Sequence, residues 1–519
     1  MPHILMIASE NDALPGGKVG GIGDVVRDVP RALVKKGCTV TVLTPAYGVF
    51  SNLPGAKKVT RLNVSFGGTQ DLLDLYEVPG RQAISGVRHW AIEHPLFSTC
   101  GKGRIYCDDP EGRPFATDAS KFALFCVAAA EAIVKSEFGK IDVIHLHDWH
   151  AAFLLILRLF NPAYKALKHI RCVYTIHNLA LQGIRPFSDD ESSLQQWYPD
   201  LKYKRTQLAD PRWPDCVNPM AIGIRLADAV HAVSPTYAEE ILRPSDVAAL
   251  GQYGGEGLEA DLQAAKTGKR LFGILNGCEY PAKHKPTVAS WVALLKLLRA
   301  QVLFMAASSS TLSSALFIAQ NRIDKLSSKR PKFLLTNVGR ITEQKVRLLN
   351  QETSTGRPAL ECILETLGEN GLLIMVGSGD RGYEQFLSET AARYHNFIFL
   401  SGYSEAMVTA LYDMGDLFLM PSSFEPCGIS QMLAMRAGQP CLVHHVGGLR
   451  DTVQDNTTGF AFTGRNPTEQ ADNLVATLQR AIIAKTRAKK WRAMRKKAAA
   501  KRFQWADSID AYLKQLYQK

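Results

Sequence analysis

Two series of short apolar runs punctuate this chain, and each run gives way to a polar or glycine-bearing loop and then a helical stretch. The first series predicts strands over residues 3–8, 39–44, 142–146, 171–176 and 229–233. The second predicts them over 333–338, 372–376, 397–400, 417–420 and 441–444. Apolar runs flanked by helices argue for parallel sheets covered on both faces. The predicted fold class is therefore α/β, with two doubly wound, Rossmann-like parallel-sheet domains. Such domains facing each other across a cleft are the economical arrangement. The series break near Leu271–Gly277, and residues 281–331, rich in Ala, Ser and Lys, show no clear alternation. The domain boundaries follow as 1–275, 276–490 and a helical tail over 491–519. A bend at Phe503-Gln504-Trp505 suggests that this tail packs back on the first domain.

Chemistry concentrates where predicted strands end. Leu417–Met420 runs through Pro421-Ser422-Ser423 into Phe424-Glu425-Pro426-Cys427-Gly428, after which Ile429, Met432, Leu433 and Met435 recur at roughly helical spacing. Glu425 thus stands at the carboxyl end of a strand beside a glycine-opened helix start, where ligands bind in open α/β sheets. An ordinary strand-to-helix loop is the competing reading of that stretch alone. A matching loop, Lys18-Val19-Gly20-Gly21-Ile22-Gly23-Asp24, follows the first strand. Its glycines let backbone approach a phosphate, and Lys18 supplies countercharge. It is neither a Walker loop nor a dinucleotide fingerprint. Past the strand 333–338, Arg340 and Lys345 lie five apart on one loop and can converge on a diphosphate, Arg as a fork and Lys as a point charge.

The formal charge of +12 suggests a polyanion partner until it is located. From Arg480 to Lys519 there are 13 Lys/Arg and 2 Asp/Glu, so almost all of the excess sits in that tail. Trp491 and Met494 interrupt the basic run, which reads as one long helix with a solvated face. Asn466-Pro467-Thr468-Glu469 is a plausible start for it. No nucleic-acid or membrane partner is expected. The N-terminus shows no leader, no apolar stretch reaches spanning length, and the ten cysteines form no C-x-x-C pair. They read as mostly reduced thiols of a cytoplasmic protein. His145-Leu146-His147-Asp148-Trp149-His150 approaches a metallohydrolase ligand set with two residues in swapped order, and no distant partner set completes it. Thr175-Ile176-His177-Asn178 places another histidine just past a strand.

Taken in order, these segments resemble the bacterial glycogen synthase and plant starch synthase family, retaining glycosyltransferases of the GT-B fold. The resemblance rests on Lys18–Gly21, His147–Ala151, Thr175–Gly183, Val233–Ala238, Leu275–Gly277, Gly339–Lys345, Phe424–Gly428 and Gly447–Val453. It implies transfer of glucose from ADP-glucose, with UDP-glucose as the alternative donor, to an α-1,4-glucan, without a metal or other cofactor. It implies that Lys18, Arg340 and Lys345 hold the donor diphosphate, with Gly20, Gly21 and Asp24 at the donor loop. By the same resemblance Tyr403 stacks the adenine, Glu425 and His177 hold the transferred glucose, and Cys427, Gly428 and Ile429 line its pocket. Glu10, Asp148 and Asn276 fall near the glucan acceptor. The chain departs from the family pattern at Val19, Val346 and Ser423 and in the segment 348–358. A GT-B enzyme with another donor or acceptor, or a catalytically weak glucan-binding paralogue, is the alternative.

Overall fold

The computed structural model of this protein describes residues 2–281, 286–308 and 313–518. Two compact units emerge. Unit 1 comprises residues 1–244, 254–277 and 505–519, and unit 2 comprises 245–253 and 278–504.

Unit 1 carries β1 (His3–Ile7), β2 (Thr39–Pro45), β3 (Lys57–Phe66), β4 (Thr69–Val78), β5 (Val87–Glu93), β6 (Val143–His147) and β7 (Arg171–Ile176). A two-residue hairpin follows, β8 (Arg185–Pro186) with β9 (Cys216–Val217), then β10 (Ala229–Ala232) and β11 (Leu271–Gly273). The main sheet runs β11-β10-β7-β6-β1-β2-β5-β4-β3. The first seven strands in that order are mutually parallel, and β4 and β3 extend the edge as an antiparallel hairpin. The predicted strands form because their side chains are apolar on both faces and helices cover them. Val25, Val26, Val29 and Leu33 of the helix Gly21–Lys35 bury against Ile4, Met6, Val40 and Val42. That helix stops at Gly37, whose φ of 85° suits a residue without Cβ. The hairpin of β3 and β4 lies outside the predicted strands. β3 exposes charge along much of its length and so lacks a continuous apolar run.

Unit 2 is a six-stranded, all-parallel sheet of β12 (Phe333–Val338), β13 (Gly371–Gly377), β14 (Phe397–Ser401), β15 (Leu417–Met420), β16 (Cys441–His444) and β17 (Gly459–Phe462). Its order is β14-β13-β12-β15-β16-β17, so the direction of winding reverses between β12 and β15. In the patternless stretch before β12 lie two helices, Trp291–Ser308 and Ser314–Asp324, which cover one face with Leu294, Leu298, Leu316 and Ile323.

Three expectations change. The basic run is not one helix: Arg487, with ψ of 74°, separates Pro467–Thr486 from Ala488–Ala500. The break seats Trp491 against Phe333 and Phe460, while Lys485 and Arg480 pair with Asp416 and Asp455. The change of unit falls between Gln504 and Trp505 rather than at residue 491. From Trp505 onward Ile509, Tyr512 and Leu516 join the unit 1 core, and Tyr517 bonds His145 at 2.8 Å. Finally, Cys100 and Cys107 form a disulfide, because turns at Gly101 and Gly103 bring their Cα atoms to 5.7 Å, within bridging range. The other eight cysteines form no disulfide.

Candidate active site

In unit 1 the predicted site residues gather at the carboxyl ends of β1, β6, β7 and β11. Glu10, just past β1, is buried, and its Oε2 accepts N–H bonds from Val19 (2.9 Å), Gly20 (2.6 Å) and Gly23 (3.3 Å). Its Oε1 accepts from the Tyr106 hydroxyl at 2.8 Å. Glu10 therefore organises the glycine loop rather than standing open. At Gly23 a side chain would be crowded, since an added Cβ would lie 3.2 Å from the Glu10 carboxylate. The same arrangement leaves Lys18 partly exposed on the loop, donating to Asp24 at 2.7 Å. Burial pushes the Asp24 carboxyl up, against the pull of Lys18 and Arg27. Tyr106, in the loop closed by the disulfide and tilted against His150, had no sequence signal beyond its neighbouring cysteine.

Asp148 opens the helix Asp148–Phe160 with a φ of 56°, an unusual conformation that turns the chain sharply off β6. Its carboxyl accepts the backbone N–H of His177 at 2.6 Å, and burial raises its pKa to about 8. His177 and His147 share a ring–ring hydrogen bond, Nε2 to Nδ1, of 2.9 Å. Behind them runs a chain whose directions are fixed by its far end. His231 Nε2 must donate to the Ile274 carbonyl (3.0 Å), so its Nδ1 accepts from Thr175 (3.0 Å). Thr175 then accepts from His145 Nε2 (2.6 Å), and His145 Nδ1 accepts from Tyr517. Burial holds all these imidazoles well below their ordinary pKa, His231 at about 4, so the chain is neutral. The histidine-rich motif is thus engaged in an internal hydrogen-bond network. Asn276, past β11, is buried, and its Oδ1 has no partner among the described residues. A buried oxygen left unpaired costs about 1–3 kcal/mol, which a ligand hydroxyl would recover.

In unit 2 the site forms across the winding reversal. Lys345, on the helix Glu343–Asn350 after β12, makes an ion pair with Glu425 after β15. Ser422 donates to the same carboxylate oxygen at 2.9 Å. Gln344 clamps the loop from below: its carbonyl accepts from Ser423 N (2.8 Å), and its side-chain amide donates to the Phe424 carbonyl (3.0 Å). The Gly448 N–H holds the Glu425 carbonyl at 3.0 Å, and an added Cβ at Gly448 would sit 2.2 Å from the Cys427 carbonyl oxygen. Gly428, at φ 74°, turns the chain into Ile429 and the helix Ser430–Arg436. His444, held neutral near pKa 4 by burial, donates Nδ1–H to the Ser422 carbonyl at 3.0 Å. Arg340 and Tyr403 are exposed, and Cys427 is buried. The segment 245–253 also belongs here, Tyr253 packing on Phe424 at 4.5 Å and bonding Arg347 at 3.0 Å. At the departures from the family pattern, Val346 is a core residue and Ser423 is a small buried donor to Gln344.

Two family models match this chain: a starch synthase catalytic domain over residues 3–264 and glycosyl transferases group 1 over 320–500. A glycogen synthase of Streptococcus equi is 31% identical over 530 aligned residues, covering 98% of each chain. The chain belongs to the starch and glycogen synthase family. It is accordingly a glycosyltransferase. A glycogen synthase of Gloeobacter violaceus is 32% identical over 98% of this chain and 97% of its own. The catalytic domain of starch synthase IV from Arabidopsis thaliana, solved bound to ADP and acarbose, matches with a TM-score of 0.74 and 26% identity over 99% of this chain and 98% of that one. With two parallel-sheet units and that match, the fold is GT-B. Among the described residues no helix is long and apolar enough to cross a membrane.

Proposed function

We propose that this enzyme transfers glucose from ADP-glucose to the non-reducing end of an α-1,4-glucan with retention of configuration. The observation that carries the reading is the Lys345–Glu425 pair, built across the strand-order reversal of unit 2, with Arg340 exposed on the loop that leads into the Lys345 helix. That is where open α/β sheets bind nucleotides. The solved relative that holds ADP and acarbose supports both halves of the assignment.

Physically, the bond from glucose C1 to the diphosphate oxygen breaks, an oxocarbenium-like sugar develops, and negative charge accumulates on phosphate. Arg340 and Lys345 stabilise that charge, with Lys18 on the glycine loop, so no metal cofactor is needed. The acceptor hydroxyl attacks from the same face, forms the new C1–O bond and passes its proton to the departing phosphate. Glu425, paired with Lys345 and oriented by Ser422, holds glucose hydroxyls. Neutral His177 offers hydrogen bonding without a competing charge, and Cys427, Gly428 and Ile429 line the sugar. Tyr403 offers an exposed ring to the adenine, Asp148 and Asn276 meet the acceptor, and Glu10 holds Gly20, Gly21 and Asp24 in place through the loop. Each preorganised charge contact is worth roughly 10²–10³-fold in rate.

Purified protein is offered ADP-, UDP- or GDP-glucose with glycogen and excess EDTA, and nucleoside diphosphate release is measured. ADP release that depends on glycogen and survives EDTA is expected. Preference for another nucleotide, or activity that returns only with Mg²⁺ or Mn²⁺, would overturn the donor assignment or the metal-free chemistry respectively.

A further inference from the structure

The candidate site of unit 2 uses the carboxyl ends of its parallel strands. At the opposite, amino ends, beside the edge strand β17, lies a cavity of about 260 Å³. It is lined by Asn456, Phe460, Arg487, Lys490, Trp491 and Met494, where the helical run breaks at Arg487 between Pro467–Thr486 and Ala488–Ala500. Its two parts differ in character: Phe460, Trp491 and Met494 are buried, whereas Asn456, Arg487 and Lys490 are exposed.

The buried part holds an unanswered donor. Trp491 is only 5% exposed, yet its indole Nε1–H has no hydrogen-bond partner among the described residues. A buried donor without an acceptor destabilises the fold, and the flanking rings of Phe333 and Phe460 supply none. The exposed part holds unanswered charge. Arg480 and Lys485 pair with Asp455 and Asp416, but Arg487 and Lys490 have no carboxylate partner among the described residues. Asp455, next to Asn456, is taken up by Arg480 through both oxygens, at 2.9 Å each. From Arg487 to Arg502 the sequence has no Asp or Glu. The helix Ala488–Ala500 adds a positive pole, because its first N–H groups have no intrahelical acceptor, Arg487 gives no side-chain cap, and no acid stands in its first turn. Lys489 and Lys490 stand there instead, the unfavourable sign for a helix amino end.

These groups select an anion with several acceptor oxygens. A metal cation would be repelled. A neutral sugar finds no stacking platform, since both aromatic rings of the lining are buried. A phosphoryl group can take the Arg487 fork, the Lys490 charge, the indole N–H and the helix amino end on separate oxygens. The volume lies just under the roughly 300–1,000 Å³ of drug-sized sites, which leaves room for a few carbons beyond that group.

We propose that this cavity binds a phosphoryl group, free or carried on a small phosphate ester, and that the Trp491 indole donates to it.

The test follows the indole N–H signals of the whole protein by heteronuclear NMR, beside calorimetry, during titration with α-glycerophosphate, inorganic phosphate, glycerol or malate. Trp491→Phe identifies the Trp491 signal. That signal should move with both phosphates and stay still with glycerol and malate. Tighter binding of α-glycerophosphate would assign the site to an ester, and tighter binding of inorganic phosphate to the free ion. Arg487→Gln, at an exposed position, should weaken α-glycerophosphate binding about tenfold, and Lys490→Gln should weaken it less. Arg340→Gln, at the other edge of the sheet, should leave it unchanged. A Trp491 signal that never moves, equal affinity in wild type and Arg487→Gln, or loss of binding in Arg340→Gln would overturn the proposal. So would malate binding as tightly as α-glycerophosphate, or heparin binding without a response to either phosphate.

Discussion

The ion pair between Lys345 and Glu425 is asymmetric, and that asymmetry predicts unequal stability costs for its two halves. The Lys345 side chain keeps 22% of its exposure and Glu425 only 7%. Glu425→Ala therefore leaves an ammonium that reaches water, at a cost of no more than about 1 kcal/mol. Lys345→Met leaves a buried carboxylate whose remaining side-chain donor is Ser422. Removing one partner of a buried pair costs about 3–5 kcal/mol. Ser422 still satisfies part of that carboxylate, so a loss at the lower end of the range, near about 3 kcal/mol, follows. For a unit of this size it corresponds to roughly 6–12 °C in the transition of unit 2. Differential scanning calorimetry of both variants, with circular dichroism to check folding, measures it. Both variants should be inactive. Equal losses, or a larger loss in Glu425→Ala, would refute the reasoning.

Four further outcomes are expected. Buried imidazoles bind fewer protons folded than unfolded, so their stability is present above pH 6.5 and falls as pH drops: His231 and His444, each near pKa 4, should each cost about 2 kcal/mol between pH 6.5 and 5 in their own units. Asp148, raised to about 8, acts in the opposite sense, stabilising at low pH and losing that contribution as pH rises toward 8; Asp148→Asn should flatten that limb in a pH series of melting temperatures. Gly448→Ala should displace the Glu425 loop through the Cys427 carbonyl and cut activity at least tenfold while the unit 1 transition stays put, and wild-type activity would contradict it. Reducing the Cys100–Cys107 bridge should loosen Tyr106 from Glu10, seen as faster amide exchange at Val19 and Gly20.

Parallel strands were legible because burial on both faces leaves an apolar run, as in Leu417–Met420 and Gly371–Gly377. The hairpin β3–β4 was not, since its faces carry charges paired across it, such as Arg61 with Asp74. The break at Arg487 has neither Gly nor Pro and is set by where Trp491 must bury, a tertiary cause. In the site, the location of Glu425 at a strand end was legible from local pattern alone. Its partnership with Lys345, eighty residues away, needs the β12–β15 neighbourhood. The structure also gives Glu10 a clear internal task that its sequence setting did not disclose, since three of its donors are backbone groups.

The central claim is that these residues transfer glucose from ADP-glucose to a glucan. Proton NMR of the wild-type protein with ADP-glucose and maltoheptaose tests it most directly. The account predicts growth of α-1,4 anomeric signals, initial products one glucose longer than the acceptor, and no growth with Glu425→Ala. β-linked product, glucose released to water without chain extension, or no reaction at saturating donor would contradict it.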